Sequence, residues 1–220
     1  QGSVMVGGAV ILEGVRIEGA AHIVLRVEER DGRAVGNYLP ATAAVDQLDF
    51  DEPVLDGSGS MAGQEAALRM FTSRLAQRLQ LQPGGSQAYI GEFETDASDL
   101  SSPPWATSMA EVDDALSRYT SAIWDPANNI GWTNIAGGIQ RGQQHLMAMS
   151  GLPKVMFILT DGEQTTPGGT PAAIRAAQVA KEAGIIILAA GFGTVSNATL
   201  QALATSPGLM FIARDLEPHF

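Results

Sequence analysis

The feature that most restricts the fold is an apolar run, KVMFILT at residues 154–160, whose only charged residue is the first. A strand that is apolar throughout, and not only at alternate positions, is covered on both of its faces. Two further runs of this kind follow, IIILAA at 185–190 and LMFIA at 209–213. Segments with helical patterns separate them. Strands that alternate with helices predict a doubly wound α/β fold around a mostly parallel sheet, with right-handed connections.

The same alternation extends back to about residue 46. Strands are predicted at 48–55 and 87–93, and a short edge strand is expected in the loop that follows. Helices are predicted over 64–79, 110–124, 134–149 and 197–205. One more helix is predicted with Thr170 as its N-cap and Pro171 as its first residue, and Gly184 ends it. In the common strand order 3-2-1-4-5-6, the first and fourth strands are neighbours where the order reverses, and ligands bind at their carboxyl ends.

Residues 1–45 have a different texture, with alternating apolar residues, many glycines and no helical pattern. The segment HIVLRVEERDGRAVGNYL predicts two strands joined through Asp31-Gly32, because Asp-Gly between such strands favours a tight hairpin turn. We therefore expect a β-rich N-terminal extension over 1–45, either part of a small β-sandwich or an added sheet, and an α/β domain over 46–220.

Composition excludes several kinds of partner and site. The formal net charge is -11, which argues against nucleic acid and anionic membranes but tolerates cations. The absence of cysteine rules out disulfides and thiolate zinc sites. No apolar run reaches the roughly 20 residues of a membrane-spanning helix, so membrane insertion is not expected.

The stretch DGSGS at 56–60 lies between the first α/β strand and a helix, and it has three interpretations. It can be a turn in which Ser60 merely caps the helix. It can be a nucleophile elbow, because small residues flank Ser60 two places on either side. It can also be an oxygen cage for a hard metal ion. The choice depends on which other residues reach the same edge of the sheet.

Two acids end strands that we expect to be neighbours, since Asp56 ends the first α/β strand and Asp161 follows KVMFILT. Thr133 begins the helix that leads into that fourth strand, so its hydroxyl should reach the same edge. Two adjacent carboxylates repel each other unless a positive charge lies between them. No lysine or arginine occurs in the three segments concerned, 54–64, 128–138 and 159–170. Hydroxyl and carboxylate oxygens without histidine or cysteine predict Mg²⁺, Ca²⁺ or Mn²⁺.

Together, DGSGS, Thr133 in GWTNIAGGI and Asp161 in ILTDGE resemble the metal-ion-dependent adhesion site (MIDAS) of von Willebrand factor A (VWA) domains, the family that includes integrin I domains. The resemblance covers about residues 46–213, in the same order of elements. One departure is the first strand, which reads LDFDEPVLD where the family has an unbroken apolar run. Pro53 and its acidic neighbours are unusual in a central strand, so this strand is expected to be short.

The resemblance implies a non-enzymatic binding module that holds one divalent cation, Mg²⁺ first and otherwise Ca²⁺ or Mn²⁺. It implies five metal ligands, three through hydroxyl oxygens and two acids that balance the charge, often through water: Ser58, Ser60, Thr133, Asp56 and Asp161. In the family the sixth ligand is commonly a carboxylate of a partner protein. Trp132 beside Thr133 is either an aromatic anchor for that partner or an ordinary packed side chain. A bacterial surface or extracellular location is favoured, with a cytoplasmic one left open.

An enzyme of α/β-hydrolase type is the alternative from another class. Its triad would be Ser60, Asp161 and His219, which follow the chain order of that family. His219 is the penultimate residue, with no predicted element to position it, and Asp56 and Thr133 would then have no role. A serine-directed fluorophosphonate probe labels a hydrolase, whereas divalent metal removable by EDTA marks the binding module.

Overall fold

The computed structural model describes residues 5–6, 27–30, 33–36, 52–79, 81–83, 86–102, 105–121, 125, 127–128, 130–149 and 154–212. Three short strands near the N-terminus form an antiparallel sheet in the order β1-β3-β2: β1 (Met5–Val6), β2 (Val27–Arg30) and β3 (Arg33–Gly36). Arg30 pairs with Arg33, which agrees with the predicted hairpin, although the turn Asp31-Gly32 lies outside the described residues. The boundary between an extension over 1–45 and the domain over 46–220 stays a prediction.

Six strands form the main sheet: β4 (Glu52–Asp56), β5 (Gly91–Phe93), β6 (Ala97–Asp99), β7 (Lys154–Thr160), β8 (Ile185–Gly191) and β9 (Met210–Ile212). Their order is β6-β5-β4-β7-β8-β9. All neighbours pair in parallel except the edge strand β6, which is antiparallel to β5. The predicted α/β fold and strand order are confirmed, and β4 and β7 are neighbours as expected.

Five α-helices lie among the described residues: α1 (Glu65–Gln77), α2 (Met109–Arg118), α3 (Ile135–Ala148), α4 (Gly169–Glu182) and α5 (Asn197–Leu203). Alternate residues of β7 point into two separate cores. Met156 and Ile158 pack with α3, α4 and α5, whereas Val155, Phe157 and Leu159 pack with α1 and α2. The continuous apolar run is therefore explained by helices on both faces. No helix in these ranges combines the length and apolarity that crossing a bilayer needs.

The first main-sheet strand accommodates its proline because of its register. Pro53 is paired with Phe157 of β7, but pairing with β5 begins only at Val54. Pro53 thus pairs with β7 but not with β5. With one neighbouring strand instead of two, the missing N–H of proline costs the sheet less hydrogen bonding. The described part of this strand is Glu52–Asp56, and the residues before it lie outside the described ranges, so the expectation of a short strand stays a prediction.

Two predicted helix boundaries are wrong. Helix α2 ends at Arg118 and not near 124, because Tyr119 leaves the helix with extended backbone angles and is buried in the core. Helix α4 begins two residues earlier than expected. Gly168 is its N-cap, with a left-handed φ of 96°, and Thr170 and Pro171 lie within the first turn. Proline is tolerated there because the first amides of a helix have no partner inside it.

Candidate metal centre

The two candidate acids lie at the carboxyl ends of neighbouring strands. Asp56 is the last residue of β4, and Asp161 directly follows β7. The two strands are parallel, with Leu55 opposite Leu159. This register places the two acids at the same edge of the sheet, as predicted, although about a hundred residues separate them in the sequence.

Asp56 is completely buried and is held from both sides by neutral donors. Its Oδ1 accepts from the backbone N–H of Ser58 at 2.9 Å, and its Oδ2 accepts from the hydroxyl of Thr160 at 2.6 Å. Burial raises the pKa of Asp56 to about 6; the nearby charge of Asp161 adds to this rise, and the hydrogen bonds from Ser58 and Thr160 oppose it. Among the described residues, no positive charge compensates this buried acid.

A chain of hydroxyls connects the first loop to Asp161. The hydroxyl oxygens of Ser58 and Ser60 lie 3.0 Å apart, and the Ser60 hydroxyl donates to Oδ1 of Asp161 at 2.8 Å. Burial also raises the pKa of Asp161, and the hydrogen bond from Ser60 opposes the rise. Four of the five candidate residues, Asp56, Ser58, Ser60 and Asp161, thus form one connected cluster.

The loop that carries Thr133 is attached through backbone hydrogen bonds to the loop that carries Ser58 and Ser60. The Gly59 N–H donates to the carbonyl of Gly131 at 3.0 Å. The Thr133 N–H donates to the Thr165 hydroxyl at 2.7 Å, and the Thr165 N–H donates to the Thr133 carbonyl at 2.9 Å. The N-cap of α3 is Asn134 and not Thr133, since Asn134 Oδ1 accepts from the Gly137 N–H at 2.9 Å. Among the described residues, no hydrogen bond uses the Thr133 hydroxyl, although the residue is 5% exposed.

The chemistry of this donor set fits a hard cation. Within the described ranges, both carboxylates accept hydrogen bonds from neutral groups only, and each has a raised pKa. In the same part of the chain, no three histidine, cysteine, aspartate or glutamate side chains come together, so any bound ion would depend on hydroxyl ligands. Two carboxylates and three hydroxyls suit Mg²⁺, Ca²⁺ or Mn²⁺ better than a soft metal.

The same geometry gives no support to the hydrolase alternative. The Ser60 hydroxyl donates directly to Asp161, where a hydrolase nucleophile would be bonded to an imidazole. His145, the one histidine among the described residues, lies in the last turn of α3, stacks on Tyr89 with ring centroids 4.2 Å apart and approaches Asp99. His219 lies outside the described residues.

Sequence reasoning missed several residues that hold the centre in place. Thr160 bonds Asp56, and the Tyr119 hydroxyl donates to the backbone carbonyl of Asp56. Gln164 accepts from the N–H of Ala136 at 2.8 Å and so caps the helix that follows Thr133. Only Thr160 carried a local signal, as a hydroxyl residue that ends an apolar run just before a candidate ligand.

Trp132 precedes Thr133 and is only partly buried. Its backbone N–H donates to the hydroxyl of Thr95 at 3.3 Å, which ties this loop to the turn after β5. Glu94 in the same turn accepts from the Gly131 N–H at 3.1 Å. Two hydrogen bonds therefore hold the loop that carries Thr133 against this turn, while part of the Trp132 side chain remains accessible.

Comparisons with known proteins agree with this architecture. The family model of the von Willebrand factor type A domain matches residues 54–219. Proximal thread matrix protein 1 from the mussel byssus is 20% identical with a TM-score of 0.65, over 77% of this chain and 44% of that one. A form of the mussel protein with a zinc-occupied MIDAS motif is 21% identical with the same score, over 78% and 44%.

Two bacterial pilus proteins have the same fold. The pilus adhesin SpaC from Lactobacillus rhamnosus GG is 18% identical with a TM-score of 0.57, over 77% of this chain and 29% of that one. The von Willebrand factor domain of a type V pilus tip protein from Porphyromonas gingivalis is 16% identical with a score of 0.60, over 76% and 90%. The chain thus spans less than half of the mussel protein, and these identities speak to fold alone.

No curated protein sequence matches the chain significantly. The family model nevertheless covers most of the sequence, including all five candidate metal ligands. The strand order and the helices on both faces of the sheet agree with it independently. On this evidence, the chain belongs to the von Willebrand factor type A domain family.

Proposed function

We propose that this domain is a non-enzymatic, metal-dependent protein-binding module that captures a carboxylate of a partner through one divalent cation. The observation that carries the proposal is the connected cluster of Asp56, Ser58, Ser60 and Asp161, in which two acids with raised pKa values receive neutral donors only. Thr133 supplies the fifth oxygen from a hydroxyl that its helix cap does not use. Mg²⁺ is the proposed native ion, with Ca²⁺ and Mn²⁺ as alternatives.

Each residue has a defined part in holding the ion. Asp56 and Asp161 supply negative charge, and the hydroxyls of Ser58, Ser60 and Thr133 supply neutral oxygens. When bound, the cation supplies a concentrated positive charge with a coordination position for an outside oxygen, since Mg²⁺ seldom obtains all its ligands from protein. The protein keeps the hydroxyls and carboxylates together beforehand, which lowers the cost of ordering them.

The surface near the centre favours a partner with a single exposed acid. Of the nearby acids, Glu94 is engaged with the Gly131 N–H, and Glu163 is bonded to hydroxyls of the protein itself. Asp96 is exposed and would repel a strongly acidic partner. We therefore infer a carboxylate surrounded by neutral or basic residues, with Trp132 as the proposed apolar contact beside it.

Relatives of the fold support an adhesive role and a surface location. Two structures of similar fold are pilus proteins, one of them a pilus adhesin, and a third is a matrix protein with a zinc-occupied MIDAS motif. We infer by analogy that this domain acts outside the cell, on a bacterial surface. Antibody labelling of intact producing cells tests this, and labelling only after lysis would contradict it.

Calorimetry on EDTA-stripped protein tests the metal centre. Saturable Mg²⁺ binding is expected for the wild type and should be lost in Asp161→Ala. Glu182→Ala is the matched control, because this exposed acid at the end of α4 accepts a hydrogen bond from Gln178 and from no other residue that the structure describes. Bound Mg²⁺ should also raise the melting temperature, since it binds the folded state alone. Wild-type protein that shows neither heat nor stabilisation at millimolar Mg²⁺ would refute the proposal.

Partner capture is tested by pull-down from the native source with Mg²⁺ or with EDTA. In the captured partner, replacing acids one at a time by the matching amide should identify one residue whose loss removes most of the affinity. Trp132→Ala should weaken binding by about 1–3 kcal/mol if the ring is an anchor. If EDTA leaves the affinity unchanged, the partner binds elsewhere.

A further inference from the structure

Glu163 lies two residues after Asp161, yet its carboxylate is turned towards two helices. Oε2 accepts from the Thr170 hydroxyl at 2.8 Å, in the first turn of α4. Both oxygens lie within reach of the Thr199 hydroxyl of α5, at 2.8 and 2.6 Å. Oε1 also accepts from the backbone N–H of Ser196, the N-cap of α5, at 2.9 Å. Only donors surround this carboxylate among the described residues.

The segment that leads into α5 is attached to the same loop through the backbone. The carbonyl of Asp161 accepts from the N–H groups of Thr194 at 2.8 Å and Val195 at 3.2 Å. The carbonyl of Thr160, the residue before Asp161, accepts from the Phe192 N–H at 3.1 Å. Gly193 approaches so closely that a Cβ there would lie 2.9 Å from the Asp161 carbonyl oxygen. The β8–α5 connection therefore lies directly against the residue that faces the proposed ion.

The opposite side of the loop is bound to α3. Gln164 accepts from the Ala136 N–H, and Thr165 exchanges hydrogen bonds with Thr133. Residues 161–165 are thus held between the helix that follows Thr133 and the helices α4 and α5. A displacement of α5 must either break the bonds to Glu163 or move the backbone that carries Asp161, because only one residue separates the two acids.

We propose that Glu163 is a positioning residue that couples α5 to Asp161, so that the position of α5 sets the cation affinity of the centre. This inference rests on the proposed metal-binding function. Glu163 does not bind the ion in this arrangement, since its oxygens are taken up by Thr170, Thr199 and Ser196. An acidic side chain suits this position because both of its oxygens accept, whereas a glutamine keeps one acceptor oxygen and its N–H₂ group would need a threonine hydroxyl to turn and accept from it.

Two variants separate coupling from simple loss of charge. Glu163→Gln removes both the charge and part of the acceptor capacity. Thr199→Val removes the α5 hydroxyl but leaves the charge of Glu163 in place, with a side chain of similar shape at a buried position. Glu182→Gln is the control, because it removes one exposed negative charge from α4 without a link to the centre.

The experiment combines hydrogen exchange on metal-free protein with Mg²⁺ calorimetry. Both test variants should exchange the amides of Thr194 and Val195 faster than the wild type and should bind Mg²⁺ about 10-fold more weakly, the usual effect of losing a partner that orients a ligand. The control should match the wild type in both measurements. Glu163→Asp should restore neither the slow amide exchange nor the Mg²⁺ affinity, because the shorter side chain cannot reach both helices.

The outcomes distinguish this inference from the function on which it rests. Wild-type protein that binds no Mg²⁺ refutes the proposed function and, with it, any effect on affinity. Wild-type binding with unchanged affinity in both test variants refutes the coupling alone, even if exchange becomes faster. A weaker Glu163→Gln with an unchanged Thr199→Val shows that Glu163 acts only through its charge, which also overturns the positioning role.

Discussion

Replacing Gly193 with alanine should damage the protein in two measurable ways. Gly193 has a φ of +66°, a left-handed conformation that costs a side-chain-bearing residue about 1–2 kcal/mol. The added Cβ would also lie 2.9 Å from the Asp161 carbonyl oxygen and 3.3 Å from the Asp161 Cβ. Because the obstructing atom is backbone, relief requires movement of the loop, and overpacking of this kind costs about 1–3 kcal/mol. The expected loss of stability is therefore about 2–5 kcal/mol.

Gly184→Ala provides the matched comparison. Gly184 has a φ of +85° at the end of α4, and a Cβ there would meet nothing within 4 Å. Urea unfolding of both variants in EDTA should therefore show a loss of only about 1–2 kcal/mol for Gly184→Ala and a larger one for Gly193→Ala. Only the latter should also bind Mg²⁺ more weakly in calorimetry, because only it displaces Asp161. Equal losses of stability with equal Mg²⁺ affinities would refute the reasoning.

Three further outcomes are expected. Metal-free Asp56→Asn should be more stable than the wild type by about 1–3 kcal/mol at pH 7 in urea unfolding, because the pKa of Asp56 is raised from 3.8 to about 6, so the cost of its ionisation builds up between these pH values and is complete at pH 7; a less stable variant would contradict this. The hydrogen bond from Arg141 lowers the pKa of Asp99 to about 2, so the wild type should lose about 1 kcal/mol more stability than Asp99→Asn between pH 4 and 2; the figure is reduced for the partial exposure of the pair. Gly138→Ala should cost about 1–2 kcal/mol despite its gain in helix propensity, since its Cβ would lie 2.7 Å from the Phe93 ring; a stabilised variant would show that α3 can shift freely.

The order of the main-sheet strands could be predicted because it depends on patterns within short segments. KVMFILT is apolar at every position because helices cover both of its faces, and this pattern identifies a central strand without knowledge of its neighbours. Once two acids are placed at the ends of the first and fourth strands, the rule for the reversal of strand order brings them together. The cluster of Asp56 and Asp161 therefore follows from local sequence plus a general rule of topology.

The supporting contacts could not be predicted, because each joins residues that are distant in sequence. Gln164 caps α3 across 28 positions, and Glu163 reaches Thr199 across 36. Neither pairing leaves a periodic signal. The early end of α2 has the same origin. Tyr119 carries no helix-breaking feature of its own, but its hydroxyl is used by the Asp56 carbonyl, 63 positions away.

The parallel pairing of β4 with β7 also has a kinetic consequence. Ser60 and Asp161, which lie 101 positions apart, meet only after these two strands have docked, and such long-range pairing forms late because a large loop must first close. A cation held by both loops then stabilises the native state far more than the transition state for folding. Mg²⁺ should accordingly slow unfolding in stopped-flow experiments while leaving the refolding rate nearly unchanged. An ion that instead accelerated refolding would have to bind a chain in which the two loops are already together.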